Sequence, residues 1–396
     1  MRGPALLVAA LLLWAAPLYA YEVNDDLEVY GYFQGWLTAY EQGEAFHGLT
    51  QQPSGDHGAG RTTGFSLNRA RVGLNAETLD GLVGIGFQLK LEAPLEILDV
   101  FIKVTPLKGL VLQAGQFKIP STAENLTEDR ELDFVLRPDI CGALVDYSLS
   151  RTTYSSSIFY GNNAYLRDFG LALKVDVRPF GIPMRAFGMV SNGLGANMYI
   201  GGLTKKEFVL TNRAQFFYGL RLEAEPLPDW VKVGGFASYN RHDSIVFNSG
   251  HTVLDLNRRS ASADALVRLG GTGVRVSGTY GGGRILDDWD NNGKTDFAYS
   301  GWEGRVLWEL NPLVELLSGW RSESHRVELG ARYEDYVTES DESGEPTHKR
   351  TTTVGVAYSY EQLFKAQLNG ILHRTREPYF PDLKDDAVIL SFQAAL

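Results

Sequence analysis

The sequence predicts an all-β protein, a transmembrane antiparallel β-barrel of 16–18 strands, and three observations carry that prediction. Apolar and polar residues alternate with period two along almost the whole chain, with hardly any 3.6-residue periodicity. The joints between alternating segments are by turns short and long, as in barrels with short periplasmic turns and long extracellular loops. Composition agrees, with 43 glycines, 12% aromatic and 44% hydrophobic residues. Beyond the N-terminus no stretch approaches the roughly 20 apolar residues of a membrane helix.

Met1–Ala20 reads as an export signal, with Arg2 ahead of the apolar run Ala5–Pro17 and Ala20 at the cut. Residues 21–396 are then the barrel domain, with an inward loop at about 120–140. The chain has 37 basic and 48 acidic residues, a net charge of -11, which becomes -12 when Arg2 leaves with the signal. That balance argues against nucleic acid as a partner. The single cysteine, Cys141, excludes an internal disulfide and is expected as an inert residue at a strand start.

The strands follow in order. In Leu67–Glu77 one face carries Ala70, Val72, Leu74 and Ala76, and the other Arg69, Arg71, Asn75 and Glu77. Val83–Glu92 sets Ile85, Phe87 and Leu89 against Gln88, Lys90 and Glu92, and Phe169–Arg178 sets Leu171, Leu173 and Val175 against Lys174 and Asp176. Ala214–Ala224, Ala261–Leu269, Val327–Tyr333, Thr352–Tyr360, Phe364–Leu372 and Ala387–Ala395 repeat the split. Alternation alone suits a soluble sandwich as well as a barrel. The loops decide for the barrel: Leu79–Gly81, Pro106–Gly109, Pro179–Pro183, Pro226–Asp229 and Glu361–Gln362 are tight, whereas Glu41–Gly64, Pro120–Ile140, Asn192–Asn212, Arg241–Arg258, Leu286–Asp296, Val337–Lys349 and Thr375–Asp386 are long and polar. Counting segments gives about 18 strands, an even number, with Leu310–Ser324 read as one irregular turn. Aromatics near segment ends, among them Tyr30, Tyr32, Trp36, Trp230, Tyr239, Tyr280, Tyr299, Tyr336, Tyr358 and Tyr360, read as interfacial girdles.

The run Phe65-Ser66-Leu67-Asn68-Arg69-Ala70-Arg71-Val72-Gly73-Leu74, followed by Gln88-Leu89-Lys90, Asp99-Val100-Phe101-Ile102 and Gly115-Gln116-Phe117-Lys118-Ile119-Pro120, resembles the phosphate-selective porin family in residue type, order and spacing. The resemblance is clearest over about residues 60–140. It implies an outer-membrane barrel of a bacterium, usually of 16 strands and usually a homotrimer, that passes anions by diffusion. Two departures stand out: Ser121-Thr122 follow Pro120 where relatives tend to have Phe-Gly, and the chain ends at Leu396 rather than at an aromatic residue.

If the apolar faces meet outer-membrane lipid, the polar faces line a pore and their charges carry function. Period two places Arg69, Arg71, Lys90, Lys103, Lys118, Arg221, Arg305 and Arg332 inside, and basic residues outnumber acidic ones on these faces. A mildly cationic lumen favours small anions, phosphate among them, by a few-fold. Two readings of these cations stand side by side: Arg69 and Arg71, two apart on one face, gather an anion with Lys90 and Lys118, or they pair with Glu77 and Glu92 and brace the wall. The inward loop holds Glu124, Glu128, Asp129, Glu131, Asp133 and Asp139 against Arg130 and Arg137, which weighs against strict phosphate selection.

Asp288, Asp290, Asn292 and Asp296 take the spacing of a calcium loop with Gly293 at its sixth position, but Tyr299 stands where the bidentate Glu belongs, so any Ca2+ site there is weak. No resident cofactor is otherwise implied. No nucleophile elbow or recognisable histidine pairing suggests an enzyme. The expected function is an anion-favouring diffusion porin, with a surface scaffold or adhesin barrel of closed pore as the alternative.

Overall fold

The computed structural model describes residues 21–24, 27–40, 63–78, 80–92, 95–145, 166–193, 208–210, 216–247, 252–288, 295–312, 315, 324–340, 346–376, 383–384 and 386–395. The expected signal, Met1–Ala20, lies outside them. Sixteen strands make the wall: β1 (Leu27–Tyr40), β2 (Thr63–Thr78), β3 (Val83–Lys90), β4 (Glu96–Leu107), β5 (Leu110–Lys118), β6 (Arg167–Val177), β7 (Met184–Ser191), β8 (Phe217–Leu227), β9 (Val231–Phe247), β10 (Thr252–Leu269), β11 (Val274–Asp288), β12 (Thr295–Glu309), β13 (His325–Ser340), β14 (Thr347–Tyr360), β15 (Phe364–Arg376) and β16 (Ala387–Ala395). Each pairs antiparallel with the next, and β16 returns to β1 in register from Ala387↔Tyr40 to Ala395↔Tyr32, which closes the sheet. Closure removes the exposed edges that lipid cannot satisfy.

The sixteen strands fall within the expected 16–18 and match the number the resemblance implies, and the segment count of about 18 is high. Three short strands, Tyr21–Asn24, Phe208–Leu210 and Leu383–Lys384, join the sheet without completing a crossing. Cys141, expected at a strand start, sits in a helical turn, Asp139–Ala143, whose N-cap is Pro138. Pro138 pre-sets the backbone for that turn, and Asp139 adds a carboxylate in its first turn, a bias that two-residue alternation does not register.

Burial runs opposite to that of a soluble sandwich. On β6, Leu171 and Leu173 are 63% and 41% exposed, whereas Asp168 is fully buried. Ile85, Val354, Leu372 and Val388 likewise face out, and Gln88, Arg71, Thr353 and Gln367 face in. Such a continuous apolar belt is untenable in water and stable against acyl chains. A Leu173→Arg substitution should therefore cost ~2–4 kcal/mol in a bilayer, measurable by urea unfolding from lipid vesicles; an unchanged midpoint would place this face in water.

The tight joints fall where the sequence put them, and left-handed backbone turns them: Asp80 and Gly81, Gly109, Phe180 and Gly181, Asp229, and Glu361 all have positive φ. Gly109 meets a second demand, because a Cβ there would lie 2.7 Å from the Asp176 carbonyl oxygen. Several girdle residues are corrected: Tyr32, Trp36 and Tyr299 are buried on the inward side, where Trp36 and Tyr299 pack against apolar patches that include loop residues. Trp230, Tyr280, Tyr358 and Tyr360 do face out.

Candidate pore constriction

After β5 the chain turns inward at Ile119-Pro120. Proline cannot donate to a ladder, so the strand stops there. Thr122 then caps a single helical turn, α1 (Ala123–Leu126), its hydroxyl accepting from the Asn125 amide at 3.0 Å. The Asn125 side chain donates to the Ser121 hydroxyl and, at 2.6 Å, to the Cys141 carbonyl, tying α1 to α2 (Asp139–Ala143). Burial, with the nearby carboxylates of Glu124 and Glu303, pushes the Cys141 thiol up and keeps it unreactive.

Two apolar patches hold this loop at both sides of the lumen. Ile140, Cys141, Leu144 and Val145 pack with the inward Phe187, Phe217 and Phe236 of β7–β9, while Val135 packs with Trp36 of β1, Ile371 of β15 and Ile389 of β16. The polar wall meets the loop backbone between them. Lys365 donates to the Leu132 carbonyl at 2.6 Å, Arg332 to Leu136 at 2.7 Å and Ser262 to Ser121 at 2.5 Å. In return the Val135 amide donates to Asn369 and the Asp139 amide to Glu334, each at 2.9 Å. A loop with little secondary structure must satisfy its buried amides this way.

The loop's carboxylates face the wall's cations. Glu124 lies 2.6 Å from Arg305, Asp133 lies 3.3 Å from both Arg305 and Arg275, Asp129 lies 3.3 Å from Arg69 and 2.8 Å from the loop's own Arg137, and Glu128 lies 3.3 Å from Lys118. Burial works to raise Glu124 and Asp129, but for Glu124 the guanidiniums of Arg305 and Arg137 prevail and hold it below its ordinary value. For Asp129, Arg69 and Arg137 hold it well below.

The eight cations singled out from the sequence divide by position. Arg69, Arg71, Lys90 and Lys118 line the wall formed by β2, β3 and β5, and all four are ion-paired: Arg69 with Asp129, Arg71 with Glu92, Lys90 with Glu96 at 3.1 Å, and Lys118 with Glu128. Lys103 pairs with Glu77 near the short-turn end and is the most exposed of the eight. Arg305 and Arg332 meet the loop from β12 and β13, and Arg332 also holds Glu334 at 2.8 Å. Arg221 is 1% exposed and grips Asp264 with two parallel bonds of 2.7 and 2.8 Å across Gly234 of the intervening β9. A side chain at 234 would occupy the guanidinium's path.

Sequence reasoning missed Arg167, which is 3% exposed and forks onto Asp99 at 2.7 and 3.0 Å. Period two assigns it to the face of Phe169, but Leu166 has φ +58 and the alternation starts only after Asp168. Its inward aim goes with its register opposite Lys118, a cation of the same wall, which only the folded sheet supplies. The calcium motif falls where nothing is described of the side chains: 289–294 lie outside the described residues, as do the side chains of Asp288 and Asp296. Among the described residues no cluster of three or more histidine, cysteine or acidic ligands could hold a metal.

No protein-family model matches the sequence, and no curated protein does. Solved structures match the fold. The chain is similar to an anion-selective porin from Comamonas acidovorans, at 11% identity over 93% of this chain and 99% of that one, with a TM-score of 0.59. It is also similar to the outer membrane channel DcaP of Acinetobacter baumannii, at 9% identity over 96% and 100%, with a TM-score of 0.58. A third is OmpT, an outer membrane protein of Vibrio cholerae solved in a trimer form, at 10% identity over 93% and 99%, with a TM-score of 0.53. At such identities the likeness is one of fold: a closed 16-strand antiparallel barrel.

Proposed function

We propose that this chain is a bacterial outer-membrane diffusion porin that admits small hydrophilic solutes through a lumen narrowed by residues 119–145, with a modest preference for anions. The observation that carries the reading is the inversion of burial, apolar outside and ionic inside, around a loop held within the barrel. An anion preference is supported by the row of Arg69, Arg71, Lys90, Lys118 and Arg167 along one wall, where low-dielectric walls focus the field. Strict phosphate capture is not favoured, because a carboxylate already stands against every one of these groups. The assembly is a homotrimer, by analogy with the trimeric Vibrio barrel.

Planar bilayers test this. Stepwise conductance under a potassium chloride gradient should reverse at a potential shifted towards chloride by a permeability ratio of roughly 2–5. Absence of steps would instead support a closed scaffold barrel, with the loop attached to two opposite walls sealing the lumen. A reversal shifted towards potassium would remove the anion preference while leaving the pore.

A further inference from the structure

We propose that Lys174 of β6 is the cation that sets the pore's preference for anions, acting on ions at the short-turn side of the constriction. The inference rests on the reading of the chain as an open, anion-favouring porin and names the residue responsible. Lys174 points into the lumen: on β6 the buried Ala172 faces in, while Leu171 and Leu173 face lipid. Its register partners are Val111 of β5 and Phe187 of β7. Phe187 is buried on the inner side, in the apolar patch that holds the loop at Ile140 and Leu144. Lys174 itself is only partly buried, so its charge is not sealed off from the lumen.

What holds the ammonium is a ring, not a carboxylate. Its nitrogen lies 4.9 Å from the centre of the Phe187 ring, which Phe117 meets edge-on with centroids 6.4 Å apart. Among the described residues the Lys174 side chain has neither an ion pair nor a hydrogen bond. Carboxylates on the surrounding strands are already taken. Asp176, next along the same face, is held by Arg185 at 2.6 Å, Asp99 by Arg167 at 2.7 Å and Glu223 by Arg221 at 2.8 Å.

The two kinds of partner leave different fields in the pore. An ion pair with its charges ~3 Å apart presents only a dipole to a passing ion, whereas a cation on a neutral ring keeps its whole charge. Arg69, Arg71, Lys90, Lys118 and Arg167 are all of the first kind, and Lys174 is of the second. The loop's Arg130 also lies over a ring, that of Tyr30 at 5.9 Å, but the exposed Glu131 beside it offsets its charge. A unit charge roughly 7 Å from an ion in water carries about one thermal energy, and screening at ~0.1 M salt removes about half of it. Acting in opposite senses on chloride and potassium, such a charge changes their permeability ratio by roughly 2–3-fold.

Reversal potentials of the full barrel in planar bilayers, under a potassium chloride gradient, read this directly. K174M keeps an apolar stem over Phe187 without the charge, and K174Q is a second neutral variant; each should lower the chloride-to-potassium ratio by roughly 2–3-fold. K174R should retain the ratio, because a guanidinium keeps both the charge and the ring contact. D176N/R185Q removes a cation and its carboxylate together beside Lys174 and should leave the ratio within about 1.3-fold. An anion-favouring parent whose ratio is unchanged in both neutral variants overturns the role of Lys174 and leaves the porin reading standing. Loss of the ratio in K174R, or a drop in D176N/R185Q as large as in K174M, does the same, because the effect would then not follow the charge. If K174M and K174Q form no channels while K174R does, the lysine braces the wall and the proposal falls. A parent without steps removes the porin reading, and one that favours potassium removes the anion preference; either takes the role of Lys174 with it.

Discussion

Replacing Arg305 by Met should lower unfolding free energy by ~3–5 kcal/mol, the cost of stranding buried charge whose partner is gone. Arg305 is 5% exposed and holds Glu124 at 2.6 Å, Glu303 at 2.9 Å and Asp133 at 3.3 Å. Without it the buried carboxylates of Glu124 and Glu303 lose the guanidinium they share, Asp133 keeps only Arg275, and the loop between Glu124 and Asp133 is pushed from β12. Urea unfolding in micelles should show the loss, and single-channel recordings should show frequent closures as the loop moves. Adding Glu124→Gln removes one of the stranded charges, so the double variant should be more stable than R305M alone. A double variant as unstable as the sum of the two singles would mean that Arg305 and Glu124 act independently.

Asp129→Asn should raise the anion-to-cation permeability ratio by roughly 2–5-fold, because the Arg69 and Arg137 guanidiniums it neutralises then act on the permeating ion. R69Q/R71Q should move the ratio the other way; if neither moves the reversal potential, the narrow plane lies elsewhere. The same carboxylate sets the acid response. Asp129 sits well below its ordinary value in the folded barrel, so its contribution to docking is complete above the unfolded value of ~4 and is lost only as pH falls through the lower folded value. Glu124, also lowered, acts in the same direction. Conductance should therefore be constant from neutral pH to about 4 and become unstable only in stronger acid. Loosening of the channel between pH 7 and 5 would show that neither Asp129 nor Glu124 sets the acid response.

Much of the wall was legible in the chain itself. Alternation along Leu67–Glu77 places Arg69 and Arg71 on one side and Ala70 and Val72 on the other, and the structure agrees even though a bulge beside Asn68 turns Leu67 outward with Ala70 and Val72. The tight joints at Pro106–Gly109 and Glu361–Gln362 were readable because turn chemistry is local. What misled the reading was also local. Leu166 with its positive φ hides the inward aim of Arg167, and the helical turn after Pro138 takes Cys141 out of the strand series.

By itself, then, the sequence determined the two-faced strands, the turns between them and the store of inward cations, since each depends on residues only a few positions apart. Tertiary structure alone decided which carboxylate each cation meets. Glu124 and Arg305 are 181 residues apart, and Lys365 finds the Leu132 carbonyl from 233 residues away. Closure of the sheet and the path of one loop bring these groups together, and a two-residue period carries no information about either.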